Sequence, residues 1–397
     1  MKLVMLMTAL VAAMGAQAAE PFAMRDVKLL DSPLLDNSQR NAAFLLSLDP
    51  DRLMFNMHVG CGLQPRADSP YGGWERTGLA GHSLGHYLSA VSLEYAATGD
   101  ERFKQRADSI VSEMAVCQAR YGTGYIGAMG PTTKERQALE ALKTGDVESI
   151  NHCWAPWYTQ HKIIAGLLDA WVLVGNLEAR EVALGFARWV DNLTKGLTEE
   201  QVQRMLTMEF GGIGESFENL YKLTKDPAHL ALARRFRHHW LLDDLAAGRD
   251  NLPGKHANTQ IPKIVAEAAD YEVTGDGYGR RIAETFFDIV TASHTYATGG
   301  NSDREHFFEP DTADQRMSPA SVETCNVYNM LKLTRHVFGW NPAGDVADFY
   351  ERALLNQIRA TQHPDGRVIY NLSLLPGHPK EYQPLFDGFT CCMGTGM

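Results

Sequence analysis

The chain has 397 residues, 45% hydrophobic and 21% charged, an ordinary globular composition with enough apolar material for one large domain or two modest ones. Its formal net charge of -11 excludes the basic footprint that nucleic acid or an anionic membrane surface requires, and favours a neutral partner over a phosphate polymer.

Residues Met1 to Ala19 read as a secretory signal peptide. Lys2 supplies the positive end, Leu3 to Met14 an apolar run, and Ala16-Gln17-Ala18 a small-residue cleavage site. The run is too short to span a bilayer, and no later stretch is long and apolar enough to do so. The expected location is therefore periplasmic or secreted. Free thiols are at risk in an oxidising compartment, so the cysteines must pair, bind metal or be sheltered.

Helical patterning dominates the chain beyond this segment. Pro21 to Asp36 reads as an extended lead-in, Ser38 to Leu48 as an amphipathic helix, and Cys61 to Gly73, rich in Gly and Pro, as a loop. A repeat then sets in. Leu93 to Asp100, Leu220 to Asp226 and Ala269 to Asp276 each close a helix with a similar turn, and weaker copies stand at Val172 to Asn176 and Leu333 to Asn341. Each turn leads into a second amphipathic helix, such as Ala228 to Trp240 or Tyr278 to Thr291. Helical hairpins of about fifty residues must stack to bury their inner faces. They are longer than common solenoid repeats and carry polar aromatics at one end, which favours closure into an (α/α)6 toroid with a central cavity suited to sugars. Near the end, Gly366 to Leu375 alternates in β-branched fashion and reads as a short β segment. Phe389 to Met397 stops abruptly, so the expectation is a barrel domain over 20–397 that is incomplete on its C-terminal side.

Candidate chemistry falls at five places. Gly72-Gly73-Trp74-Glu75 leads into His82 and His86, one helical turn apart on one face; that spacing can chelate zinc, but sugar contact or a hydrogen-bonded core role fits the intervening Ser83 better. The segment from Asn151 to His161 is dense in Trp, Tyr, His and Gln, which suits the C–H faces and hydroxyls of a sugar, although some of its aromatics must plug the core. His256 and Asn258 open a helix with the same flavour. Glu305, between Arg304 and His306 in a Gly-opened loop, is either a tuned general acid/base or a solvated carboxylate paired with Arg304. Finally Glu323, Cys325 and the vicinal pair Cys391-Cys392 supply three thiols and a carboxylate, a donor set that Zn²⁺ prefers. Adjacent cysteines suit a metal better than each other, because a disulfide between neighbours is strained. Buried thiols or disulfides to other cysteines are the plain alternative.

In order, His-Ala-Asn-Thr-Gln-Ile-Pro-Lys at 256–263, Gly-Gly-Asn-Ser at 299–302, Arg-Glu-His-Phe at 304–307, Glu-Thr-Cys at 323–325 and the Cys-Cys pair resemble the β-L-arabinofuranosidases of glycoside hydrolase families 127 and 146. The resemblance runs from about Leu29 to Met397. It implies an (α/α)6 barrel followed by β-sandwich domains that this chain largely lacks. It also implies that Glu323, Cys325, Cys391 and Cys392 ligate Zn²⁺, that Cys391 is the nucleophile of a retaining reaction, and that Glu305 is the acid/base. His161, His256 and Tyr370 would contact sugar, and Trp74, His86 and Tyr158 would line the same cavity. Met393-Gly394-Thr395-Gly396 follows the cysteines where the first-described members carry Pro-Pro-Asn, which brings the chain nearer the family 146 pattern. The implied substrate is an arabinofuranosyl side chain of a plant glycan or glycoprotein. Two rivals stand beside this reading. One is uronide hydrolysis or sugar epimerisation on the same toroid, which needs no thiols; the other is a glycan-binding surface protein with a structural zinc.

Overall fold

A computed structural model describes residues 18–397; the signal peptide expected over Met1–Ala19 lies outside them, save for Ala18 and Ala19. Among the described residues no helix is long and apolar enough to cross a membrane.

The recurring turn builds the architecture. A residue in the left-handed region ends one helix, and the Asp or Asn after it caps the next: Gly99 with Asp100, Gly175 with Asn176, Lys225 with Asp226, and Gly275 with Asp276. Each capping oxygen accepts a backbone amide of the following helix, at 3.0 Å for Asp100, 2.8 Å for Asn176, 2.9 Å for Asp226 and 3.0 Å for Asp276. Thr98, Thr224 and Thr274 lock three of these turns by accepting the amide of the capping aspartate. With stop and start signals compressed into two residues, consecutive helices are forced to run back along each other.

Helices α1 (Pro33–Ser47) and α2 (Pro50–Cys61) precede five hairpins. These pair α3 (His82–Thr98) with α4 (Glu101–Tyr121), α5 (Pro156–Asp169) with α6 (Leu177–Thr194), α7 (Ile213–Thr224) with α8 (Pro227–Arg234), α9 (Ala257–Thr274) with α10 (Gly277–Ser293), and α11 (Thr324–Trp340) with α12 (Gly344–Ala353). The first helix of each hairpin packs on the first of the next, so α3, α5, α7, α9 and α11 form an inner wall. The approach of α3 to α5 is close enough to require glycine: a Cβ on Gly85 would lie 2.2 Å from the Lys162 carbonyl, and one on Gly166 would lie 2.6 Å from the Gly85 oxygen. The ring closes through α13 (Cys391–Gly396), which touches both α11 and α3. The expected helical toroid is thus formed, with its sixth inner position taken by a six-residue helix carrying the cysteine pair.

Two apolar cores flank the centre. One joins α1 to α8; the other joins the chain from Leu241 to Leu372. Between them lies a third, small cluster of Leu79, Ala155, Tyr158, Cys325, Cys391 and Cys392, with Trp74 and Tyr370 packed against it.

Two local expectations are corrected. The short β segment over Gly366 to Leu375 is not a strand. Val368, Ile369 and Asn371 make single bridges to Gln362, Tyr382 and Glu323, so the extended chain meets three separate loops and no second strand runs alongside it. The helix expected from Ala228 to Trp240 breaks after Arg234, and a new one starts at His239. The break carries Arg237 to within 2.9 Å of Glu267 and Asp270, and His238 to 2.9 Å from the Lys263 ammonium. The cysteines outside the centre are buried thiols: Cys61 donates to Cys117 across 3.0 Å, and Cys153 donates to the Ser149 carbonyl.

Candidate active site

The centre is assembled from three stretches far apart in sequence. Glu323 caps α11 and Cys325 lies in its first turn, while Cys391 and Cys392 open α13. Tyr370 touches both helix starts: its carbonyl accepts the Thr324 amide at 3.0 Å and its Oη lies 3.7 Å from Cys391 Sγ. As a result Glu323, Cys325, Cys391 and Cys392, all at most 3% exposed, bring one ligand atom each within 4.8 Å of one another. Cys325 and Cys392 sulfurs lie 3.4 Å apart, Cys391 and Cys392 3.8 Å, and Glu323 Oε1 lies 3.6 Å from Cys391 Sγ and 3.8 Å from Cys392 Sγ. Glu323 Oε2 is buried with no hydrogen-bond partner. This group could hold a metal ion.

Electrostatics point the same way. Burial, then the charge of Cys325, pushes the Glu323 carboxyl well above the carboxylate range. Burial drives the Cys391 and Cys392 thiols up as well. Cys325 alone is held low, where hydrogen bonds from Cys391, Cys392 and Thr395 outweigh its burial. Four acids in one dry pocket cannot all ionise against each other, and only a cation lets them.

Glu305 stands beside this pocket on a strained loop. Ser302, Arg304, Glu305 and Val322 all take positive φ, between +49° and +74°, each at a cost of order 1–3 kcal/mol for a side-chain-bearing residue. Backbone bonds from Ala257 N to the Glu305 carbonyl (2.7 Å), Phe307 N to Lys255 O (2.9 Å) and Arg304 N to Ala320 O (2.9 Å) hold the loop there. The Glu305 carboxylate accepts from Tyr370 Oη at 2.5 Å and faces His256 Nε2 at 3.6 Å. Tyr370 Oη is also 3.7 Å from Cys391 Sγ, so one phenol links the sulfur to the carboxylate. The His256 imidazole holds Glu305 below its usual range against its partial burial, and His256, which burial alone would lower, is raised by Glu305 together with Glu209 and Cys325. Arg304 is exposed, so the reading of Glu305 as its solvated partner is replaced by this pairing.

The other expected residues form the surrounding wall. His256 caps α9, and its Nδ1 accepts the Thr259 amide at 3.3 Å, which aims Nε2 at Glu305. His161 is buried; its Nδ1 accepts the Gly212 amide at 3.0 Å, and burial keeps the ring neutral, so Nε2 carries the proton as a donor. Tyr158 belongs to the thiol cluster and lies 3.5 Å from His86 Nε2 through its hydroxyl. His86 supports α13 from behind, where a Cβ on Gly394 would come within 2.4 Å of its ring. Trp74 meets Tyr370 at 6.3 Å between ring centres. His82 is spent structurally: it pairs at 3.1 Å with buried Glu75, which also accepts the Gly81 and Ser83 amides at the start of α3. Trp157 is the core plug of the aromatic patch, packed on Phe236 and Trp189.

Sequence reasoning missed the charges on the inner wall. Lys332 donates to Glu215 at 2.6 Å across α11 and α7. Lys263, lowered to about 7 by burial, bonds Gln260 and His238. Glu209 is raised by burial while His256, Lys263 and Lys162 pull it back. A lysine flanked by apolar residues, as in Met330-Leu331-Lys332-Leu333, was the available signal.

The signature of the family described as Beta-L-arabinofuranosidase, GH127 catalytic domain, matches residues 26–397. No curated protein matches the chain. Among solved structures, one described as "The GH127, Beta-arabinofuranosidase, BT3674" is similar at a TM-score of 0.71 and 17% identity, over 96% of this chain and 61% of that one. A GH127 beta-L-arabinofuranosidase from Geobacillus stearothermophilus T6 gives 0.63 and 17%, over 88% and 58%. This chain therefore spans about three-fifths of the length of those structures, and at such identity the likeness is one of fold. With the family signature running through the inner wall, the strained loop and the cysteine helix alike, the chain belongs to the GH127 β-L-arabinofuranosidase catalytic-domain family.

Proposed function

We propose that this protein is an exported, zinc-dependent, retaining exo-β-L-arabinofuranosidase acting on arabinofuranosyl side chains of plant glycans or glycoproteins. The observation that carries the reading is the link from Cys391 Sγ through Tyr370 Oη to the Glu305 carboxylate, beside a closed set of three thiols and one carboxylate.

The donor set fits zinc. A tetrahedron with metal–sulfur bonds of about 2.3 Å has sulfur–sulfur edges of about 3.8 Å. The bonded neighbours in the cluster stand 3.4 to 3.8 Å apart. Glu323, Cys325, Cys391 and Cys392 would hold the ion, which when bound keeps the thiols as oriented thiolates near neutral pH.

Cys391 attacks the anomeric carbon as the bond to the leaving oxygen breaks, and that oxygen takes a proton from Glu305. The Glu305–His256 pair holds one proton between its two members and delivers it through Glu305, which is left as the carboxylate. Water, deprotonated by Glu305, then displaces the sulfur from the same carbon. Two inversions give net retention. His161, through its Nε2 proton, and Tyr158 and Trp74, through their ring faces, orient the sugar over the sulfur, while His86 backs them. The buried thiols form a floor, which suits removal of a terminal residue.

The test is metal content by mass spectrometry together with hydrolysis of p-nitrophenyl β-L-arabinofuranoside by the full-length protein. One zinc per chain, retained anomeric configuration and loss of turnover in Cys391→Ala are expected. Normal turnover in that folded variant removes sulfur from the chemistry.

A further inference from the structure

An aromatic line runs from the reactive sulfur to the surface. Tyr370 Oη is 3.7 Å from Cys391 Sγ, the Tyr370 ring is 6.3 Å from Trp74, and Trp74 is 5.0 Å from Trp154. Exposure rises along it: Tyr370 and Trp74 are half-buried and Trp154 is 45% exposed. An indole left that open in water is uncommon, since tryptophan is highly buried on average.

The backbone is set to keep it there. Ala155 takes φ +45°, a left-handed conformation that L-residues other than Asn and Asp seldom adopt. Pro156 follows at the first position of α5, where its fixed φ suits a helix start. Between them these two residues send Trp154 outward while Trp157, three positions on, is fully buried. The Ala155 amide is held by Met208 Sδ at 3.4 Å, and Ala155 itself belongs to the thiol cluster. Trp154 is thus fixed at the rim of the floor that contains Cys391. Trp74 meets it at an interplanar angle of 70°, edge to face, so the pair forms an angled wall with indole surface open to solvent.

Sugars present a C–H face that stacks on such surface while their hydroxyls stay in water. The residue to be cleaved takes the enclosed end, against Cys391, Glu305 and His256, so the group it leaves behind must lie outward, along the aromatic line. We infer that Trp154, braced by Trp74, is the platform for the leaving-group sugar and sets the preference for a glycosylated over a simple leaving group. This assignment rests on the proposed arabinofuranosidase activity.

The experiment compares a β-L-arabinofuranosyl disaccharide with methyl β-L-arabinofuranoside, which has no leaving-group ring. In zinc-loaded Trp154→Ala, kcat/KM for the disaccharide should fall about tenfold, with the methyl glycoside changed less than about twofold. Trp154→Phe should restore most of the difference. Equal loss on both substrates, which marks a structural role, or no loss on either, overturns the platform. If the wild-type protein cleaves neither glycoside, the enzymatic reading fails by itself. The platform is then judged by calorimetric titration of the disaccharide into Cys391→Ala protein, with and without Trp154→Ala. Unchanged affinity overturns it; about tenfold weaker binding upholds it.

Discussion

The toroid buries two groups of acids, and it treats them differently. On the hairpins of α7 to α10, Glu218, Glu267 and Asp270 are each at most 3% exposed. They meet two guanidinium groups: Arg234 lies 2.8 Å from Asp270, and Arg237 lies 2.9 Å from both Glu267 and Asp270. At the centre, Glu323, Cys325, Cys391 and Cys392 are buried as deeply, but no arginine is placed among them. The cation acting on Cys325 is Lys162, itself pushed down by burial. A buried charge is tolerable only when matched. The first cluster carries its own match in the sequence; the second could hold a cation from outside the chain, which would supply the match. On the proposed function the first is scaffold and the second chemistry.

Removing that outside cation breaks the comparison most severely. Because α13 closes the ring between α11 and α3, metal removal should cost both turnover and cohesion. With a chelator, activity should disappear and the melting temperature should fall by more than about 5 °C, since ligation of thiolates contributes directly to folding. Zinc addition should restore both. An unchanged melting curve in metal-free protein would detach the cluster from ring closure.

Glu305→Gln attacks the same region without removing any of the four buried groups that could hold the metal. Loss of a positioned acid/base should lower kcat by about 10²–10⁴-fold on a disaccharide. The loss should be smaller on p-nitrophenyl arabinofuranoside in the first step, because that leaving group needs little protonation. Stability should hardly change, as Glu305 is partly exposed on a loop. Equal losses on the two substrates would separate Glu305 from leaving-group protonation.

In the other cluster the expected signature is the reverse. Arg237→Leu leaves Glu267 and Asp270 facing one guanidinium in place of two, and should destabilise the fold by about 3 kcal/mol. Per folded molecule, kcat should stay within about twofold, because Arg237 touches none of the groups around Cys391. Denaturant unfolding and active-site-normalised kinetics measure the two quantities.

How much of this was legible depended on whether the determinant is local. The turns were readable, since a left-handed residue, a capping aspartate and a threonine sit within three positions, and from them came the hairpins and the ring. The thiol set was readable for another reason: so few residue types bind a soft metal that three cysteines and a glutamate narrow the choice despite a gap of 65 residues or more between Glu323–Cys325 and Cys391–Cys392. Alternation at Val368 to Asn371 misled because it reports an extended backbone, whereas a strand also needs a partner strand, and here the partners are loops. The charged networks were invisible. Arg234 and Asp270, or Lys332 and Glu215, sit on different helices, and nothing near either residue announces the other.

The smallest effect concerns the acid that the arginine cluster leaves over. Three carboxylates face two guanidinium groups, and Asp270, bonded to Arg234, stays low despite burial. Burial and the neighbouring Asp270 charge push Glu218 up to about 9, and burial pushes Glu267 to about 7. A raised carboxyl holds a proton in the folded chain that the unfolded chain has already released above its ordinary value of 4.5. Stability from that proton is fully present below the unfolded value and declines as pH rises toward the folded one. Glu267 is half titrated at pH 7, and Lys263, lowered to about 7, acts in the opposite sense above it. The Glu218 share of the slope up to pH 9 is therefore read as the difference between the wild type and a Glu218 variant. Glu218→Gln, which keeps the amide neutral throughout, should remove about 1–2 kcal/mol of the stability lost between pH 7 and pH 9. Parallel wild-type and variant curves over that interval would mean that Glu218 ionises freely, and that the two arginines balance all three acids after all.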